Sequence, residues 1–234
     1  MGKIIEADKS IIPACDVATL KELEELVKAT AKVKGVGAYK VGFVLGLGFG
    51  LENVVKAVRK HSNKPIIYDH QKAGTDIPEM GQGFAAVCKQ AGVDAVIFFP
   101  QAGPATEKAW IEAAQAAGLG VIVGGEMTHP NYLKGDNGFI DDAAPKRMYA
   151  TAIDAGVTDF VVPGNKPEKI VEYKEFFESK GIEPVLYSPG LVAQGGELTE
   201  SAKAAGKRWH AIVGRGIYKA EDRGKAAAEL SSKL

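Results

Sequence analysis

Eight short apolar runs, most of them followed by a polar or glycine-rich turn and an amphipathic segment, predict an α/β chain folded as a single (β/α)8 TIM barrel over residues 1–234. Three observations carry that expectation. The runs are four or five residues long, the length of strands buried on both faces. The segments between them place apolar residues three and four apart, the spacing of one helical face. The 234 residues show no linker and no shift in composition, and one such barrel routinely uses that length. A doubly wound open sheet usually has fewer strands and a G-x-G-x-x-G turn after the first, where this chain has Asp16-Val17-Ala18.

In chain order, Ile11–Cys15 is the first strand-like run and ends at Asp16; Ala18–Val33 follows as a helix with Leu20, Leu23, Val27 and Ala31 on one face, broken by Gly35 and Gly37. Ala38–Val41 is the second run, followed by a glycine-rich turn and a helix around Leu51–His61. Pro65–Asp69 is the third, with a helix from near Pro78, a residue suited to a first helical turn, to Ala91. Ala95–Phe99 precedes a helix over about Ala105–Ala117, and Gly120–Val123 precedes the longest loop, GGEMTHPNYLKGDNG. A helix over about Asp142–Ala155 leads to Asp159–Val162, and a helix over Pro167–Ser179 leads to Glu183–Tyr187. Trp209–Val213 is the eighth run, and Ala220–Leu234 closes the chain as a helix.

Composition excludes several function classes. Lysine and arginine total 29 and aspartate and glutamate 29, so there is no basic excess for nucleic acid and little long-range steering by net charge. No run approaches the ~18 uninterrupted apolar residues of a membrane span, and MGKIIEADKS lacks the apolar core of a signal peptide. A cytoplasmic enzyme is the expectation. Cys15 and Cys88 are too few for a disulfide framework and are expected as buried free thiols. His61, His129 and His210 show no metal-ligand spacing, and His70, beside Asp69, is expected to hold a structural hydrogen bond.

In a barrel the chemistry sits at the C-terminal strand ends. The polar residues there are Asp16, Lys40, Asp69 and Lys72, Glu126–Thr128, Ser188–Gln194, and Gly214 with Arg215. The stretch IIYDHQKAGTDIP sets Lys72 between Asp69 and Asp76, an arrangement that keeps a lysine cationic and aims its proton. Lys40, by strand alternation, faces the side opposite Tyr39 and Val41, and a lysine inside a barrel needs a carboxylate; Asp69 on the neighbouring strand is the candidate. The alternative is a buried ion pair without a catalytic part. SPGLVAQGG and VGRGIY follow strands seven and eight, where such barrels often hold phosphate: glycines admit backbone N–H groups to the anion, and Arg215 offers a bidentate fork.

Taken together, the Asp of IIPACDV, the Lys of YKVG, the Asp/Lys/Asp segment, GEMTHP, SPGLVAQGG and VGRGIY resemble the orotidine 5′-phosphate decarboxylase family in its compact archaeal form. The resemblance spans nearly the whole chain. It implies a (β/α)8 homodimer that converts a small nucleotide, orotidine 5′-phosphate, to UMP and CO2 in pyrimidine biosynthesis, without metal or organic cofactor. It further implies that Lys72 protonates the pyrimidine C6, that Asp69 lies against the substrate carboxylate and holds Lys40 and Lys72, and that Asp76 reaches the partner's site. Asp16 and Lys40 would bind ribose hydroxyls, Thr128 would read the base, and Gln194 and Arg215, with Pro189 and Gly214 in the same turns, would hold phosphate. Two features depart from the family pattern. The spacing here is D-x-x-K-x-x-x-D rather than D-x-K-x-x-D, so two extra residues must bulge around Gly74, and Met80 stands where many members carry a threonine. The rival readings are a phosphosugar decarboxylase or aldolase of the same superfamily, of the ketogulonate-phosphate or hexulose-phosphate type, and a catalytically silent barrel that binds a phosphorylated ligand.

Overall fold

Residues 2–70, 74–192 and 197–234 are described by a computed structural model. Eight parallel strands form one sheet: β1 (Lys9–Pro13), β2 (Tyr39–Gly42), β3 (Ile66–Asp69), β4 (Ala95–Phe98), β5 (Gly120–Gly124), β6 (Asp159–Val161), β7 (Val185–Ser188) and β8 (Trp209–Val213), in the order β1-β8-β7-β6-β5-β4-β3-β2. Two bridges, Ile11 to Val36 and Ala14 to Lys40, bring the first strand beside the second and close the barrel. The Cys15 N–H donates to the Lys40 carbonyl across that seam at 2.8 Å.

Strand alternation divides the core in two. Ile12, Ile67, Ile97, Phe99, Ile122, Val161, Val185 and Ile212 fill the barrel interior. Tyr39, Val41, Ile66, Tyr68, Val96, Phe98, Val123 and Phe160 point outward and pack beneath the helices. Each such aliphatic side chain, once fully buried, contributes roughly 1.5–3 kcal/mol. Cys15 and Cys88 are buried free thiols, as expected.

The helices are α1 (Leu20–Thr30), α2 (Phe43–Phe49), α3 (Leu51–Arg59), α4 (Met80–Ala91), α5 (Pro104–Ala116), α6 (Ala144–Asp154), α7 (Pro167–Ser179), α8 (Leu198–Ala205), α9 (Arg215–Tyr218) and α10 (Arg223–Ser231). Thr19 starts α1 with a reciprocal cap: its hydroxyl accepts from the Glu22 N–H at 3.2 Å, and the Glu22 carboxylate accepts from the Thr19 N–H at 3.0 Å. Helix α1 ends at Thr30, before the Gly35 and Gly37 expected to break it.

Three elements correct the sequence expectation. The supposed glycine-rich turn after β2 is helix α2; glycine serves there to admit a neighbour, since a Cβ on Gly46 would stand 3.0 Å from the Tyr68 hydroxyl. Gly50, at φ 76°, supplies the break before α3. Helix α8 fills the connection between β7 and β8, burying Leu198, Ala202 and Ala205, and its Ser201 hydroxyl donates to the Gly164 carbonyl at 2.7 Å. The VGRGIY turn holds helix α9, and the closing helix is α10, shorter than the expected Ala220–Leu234, with Asp222 capping the Lys225 N–H at 2.9 Å.

Among the described residues, no helix is long and apolar enough to cross a membrane.

Candidate active site

The C-terminal strand ends surround a cavity of about 310 Å³. Lys40 enters it from β2, where the outward turn of Tyr39 and Val41 leaves the intervening side chain no direction but inward. Register sets Gly42 beside Asp69, so the long lysine chain reaches up to the last residue of β3. The Lys40 ammonium donates to Asp69 Oδ2 at 3.0 Å and stands 3.7 Å from Asp16 Oδ1. Its side chain is 7% exposed and that of Asp69 13%, against 48% for Asp16. Burial alone would lower the Lys40 pKa, but the attraction of Asp69 and then Asp16 outweighs it, and the ammonium is held above its ordinary value. A fixed cation is thus held between a partly buried and a solvated carboxylate.

Pro189 and Gly190 after β7 and Gly214 and Arg215 after β8 form the next part of the wall, with Asp16 Oδ2 3.7 Å from where a Cβ on Gly214 would sit. Arg215 opens α9, and Gly214 packs closely there, with Tyr218 3.4 Å from where a Cβ would sit. The remaining wall follows β5: Glu126, Met127, Thr128 and His129. Glu126 is buried; it accepts from the Lys166 ammonium at 2.8 Å and from the Tyr173 hydroxyl. The Thr128 carbonyl accepts from the Asn165 amide at 3.1 Å, tying the β5 rim to the turn after β6.

The family model described as orotidine 5′-phosphate decarboxylase / HUMPS matches residues 9–230. The chain belongs to this family. Its sequence is 34% identical over 98% of this chain and 97% of the relative to orotidine 5′-phosphate decarboxylase of Methanosarcina mazei. The Methanosarcina barkeri enzyme of the same name is 32% identical over 98% of this chain and 96% of its own. Among solved structures, the Methanocaldococcus jannaschii orotidine 5′-monophosphate decarboxylase complexed with the inhibitor BMP superposes with a TM-score of 0.84 at 27% identity, covering 97% of this chain and 98% of that one. The Pyrococcus horikoshii orotidine 5′-phosphate decarboxylase gives 0.78 at 25% identity, over 95% and 98% of the two chains.

Of the residues singled out from sequence, Asp16, Lys40, Asp69, Thr128, Pro189, Gly214 and Arg215 come together on one cavity. Lys72 and Gln194 lie outside the described residues. Asp76 does not line this cavity. It is exposed, and its carboxylate accepts from the Ile77 N–H at 2.7 Å. His70 hydrogen-bonds the Tyr68 hydroxyl through Nδ1 and meets Phe84 edge-on, the structural role expected of it. Sequence reasoning passed over His129, which lines the cavity with its ring against Tyr132, and Phe99 and Tyr218, which complete the wall. The available signal was position: His129 follows closely on β5, and Tyr218 lies one helical turn after the strand-eight turn. Glu126 stood among the strand-end residues, but its partners Lys166 and Tyr173 are distant in sequence and left no local sign.

Proposed function

We propose that the protein decarboxylates orotidine 5′-phosphate to UMP and CO2 in pyrimidine biosynthesis, acting as a carboxy-lyase in the cytoplasm. The observation that carries this reading is one cavity, in a chain of this family, that joins the Lys40 ammonium between Asp69 and Asp16 to glycine-rich turns carrying Arg215.

In this reading Arg215 and Gln194 bind the phosphate, with the backbone of the Pro189 and Gly214 turns approaching its oxygens. Asp16 and Lys40 take the ribose hydroxyls, and Thr128 reads the base edge. Asp69 faces the carboxylate to be lost, while Lys40 keeps Asp69 ionised and in place. The bond from C6 to the carboxylate carbon breaks, its electron pair stays on C6, and CO2 leaves. The Lys72 ammonium then gives its proton to C6. Contacts to phosphate and ribose, remote from C6, supply binding energy that offsets the approach of two anions. A preorganised ammonium stabilises the negative charge developing at C6.

The reaction is proposed to need no metal or organic cofactor, since lysines supply the positive charge that a metal would otherwise bring to these carboxylates. The enzyme is proposed to work as a homodimer in which Asp76 enters the partner's site. Two exposed apolar stretches support it: Phe43, Val44 and Leu47 on α2, and Ile77 and Met80 leading into α4. They flank Tyr68, which meets Gly46 of α2 on one side and stacks on Phe84 of α4 on the other. An exposed surface of this kind marks an interaction site.

Loss of orotidine 5′-phosphate absorbance in the presence of EDTA tests the whole proposal. Turnover that survives the chelator is expected; turnover abolished by it would point to the metal-dependent phosphosugar branch. Lys72→Ala should abolish decarboxylation and leave UMP binding largely intact, and near-normal turnover in that variant would remove Lys72 as the proton donor.

A further inference from the structure

The segment after Asp69 is longer than the family pattern allows, yet its far end is tied down from outside the cavity. Gly74, at φ 91°, packs against β4 and the turn beyond it, with Pro100 Cα 3.5 Å and Phe98 Cβ 3.6 Å from where a Cβ would sit. The Thr106 hydroxyl of α5 donates to the Asp76 carbonyl at 2.8 Å. One turn further along the same helix face, the Trp110 indole N–H donates to the Ile77 carbonyl at 3.0 Å. Both side chains are buried. The Trp110 ring is itself wedged among Phe84 at 5.0 Å, Phe98 at 5.8 Å and the bare backbone of Gly81, where a Cβ would come within 2.9 Å.

We propose that Thr106 and Trp110 are positioning residues that set the register of Asp76 for the neighbouring subunit's active site. The inference rests on the reading of Asp76 as a residue of the partner's site. Two consecutive carbonyls gripped from one rigid helix fix a backbone more tightly than a free loop does, because the helix and its packed ring move only as a unit. The extra length between Asp69 and Asp76 is thereby decoupled from where Asp76 ends up. Its carboxylate is delivered by α5, whatever path the intervening backbone takes.

The shared-site geometry makes the test specific. Trp110→Phe keeps an aromatic ring in the same place and removes the N–H; Thr106→Val keeps the shape and removes the hydroxyl. The double variant is expected to lose 10- to 100-fold in kcat/KM, the scale of a misplacement of about 1 Å. Thr106→Ser, which retains the hydroxyl, is expected to turn over normally. Co-expressed with Lys72→Ala subunits and purified as heterodimers by two affinity tags, the double variant should recover wild-type turnover at one site per dimer. That site combines its own Lys72 with Asp76 from a subunit whose Thr106 and Trp110 are intact. A purely structural defect stays with its own subunit and is not rescued. Where the double variant fails to fold, Thr106→Val alone carries the same test.

A wild-type rate in the variant homodimer, or a loss that persists in the heterodimer, overturns the proposal. A Lys72→Ala/Asp76→Ala heterodimer run alongside separates the two levels. If it is inactive, the shared-site reading falls and takes this inference with it. If it is active while the double variant is not rescued, only the role of Thr106 and Trp110 falls.

Discussion

The barrel carries polar side chains at both depths of its interior and treats them in opposite ways. At the C-terminal pole, Asp16 and Asp69 hold the Lys40 ammonium at the wall of an open cavity. Deeper down, towards the N-terminal pole, polar groups hydrogen-bond one another, with Asp159 partly exposed. The Ser10 hydroxyl and His210 Nδ1 lie 2.8 Å apart, and the Tyr187 hydroxyl donates to Asp159 Oδ1 at 2.8 Å, with Thr158 donating to the other oxygen. Burial pushes the His210 pKa down to about 3, so this imidazole is neutral across the physiological range, and burial pushes Asp159 and Tyr187 up. Charges that border an open cavity can act on a ligand; groups that hydrogen-bond one another away from it hold a fold. The upper cluster should therefore cost activity when altered, and the lower one stability.

The largest expected effect is at the upper pole. Asp69→Asn removes the nearest counter-charge of Lys40 and is expected to reduce kcat/KM by about 10³-fold. Among the described residues the buried Lys40 ammonium then keeps only Asp16, at 3.7 Å, so the thermal midpoint should fall as well. A wild-type kcat/KM in this variant would instead class Asp69 with the structural groups. Arg215→Ala comes next: UMP binding measured by calorimetry should weaken by about 1.5–3 kcal/mol, roughly 10- to 150-fold, with the fold intact.

A buried carboxyl outside both clusters sharpens the contrast. Glu107 on α5 is 2% exposed, its Oε1 has no hydrogen-bond partner, and burial pushes its pKa from 4.5 up to about 8. The folded state keeps a proton that the unfolded chain gives up, so stability should fall as pH rises from about 4.5 towards 8 and level off above. Glu107→Gln should flatten that part of the curve, by on the order of 2–4 kcal/mol between pH 5 and 9, as read by urea denaturation. The smallest effect is expected at the lower pole, where Tyr187→Phe takes a donor from partly buried Asp159. It should cost about 1–3 kcal/mol of stability and leave kcat/KM unchanged. A changed kcat/KM there would break the division between the two depths.

How much of this was legible in the chain depends on whether the signal was local. The strands were, since runs such as Ala95–Phe98 need only their own apolar residues and bounding turns to be recognised. Lys40 was also legible, because alternation alone places it opposite Tyr39 and Val41. Helix α2 was not. Its glycines read as a turn, and only the approach of Tyr68 to Gly46 explains them. Helix α8 is eight residues long and follows a glycine-rich loop, so its periodicity is too brief to stand out from sequence. The partners of Glu126 lie 40 and 47 positions away, beyond any spacing rule.

The sequence by itself determined the eightfold repeat, the inward lysine and the polar strand ends, because each follows from the period of a strand or helix and from what its termini leave unpaired. Tertiary structure alone decided which strand ends face one cavity, that Lys40 is shared between Asp69 and Asp16, and that the Asp76 backbone is held by α5 away from that cavity. Those outcomes depend on barrel closure and strand register, which bring together residues that no local pattern relates.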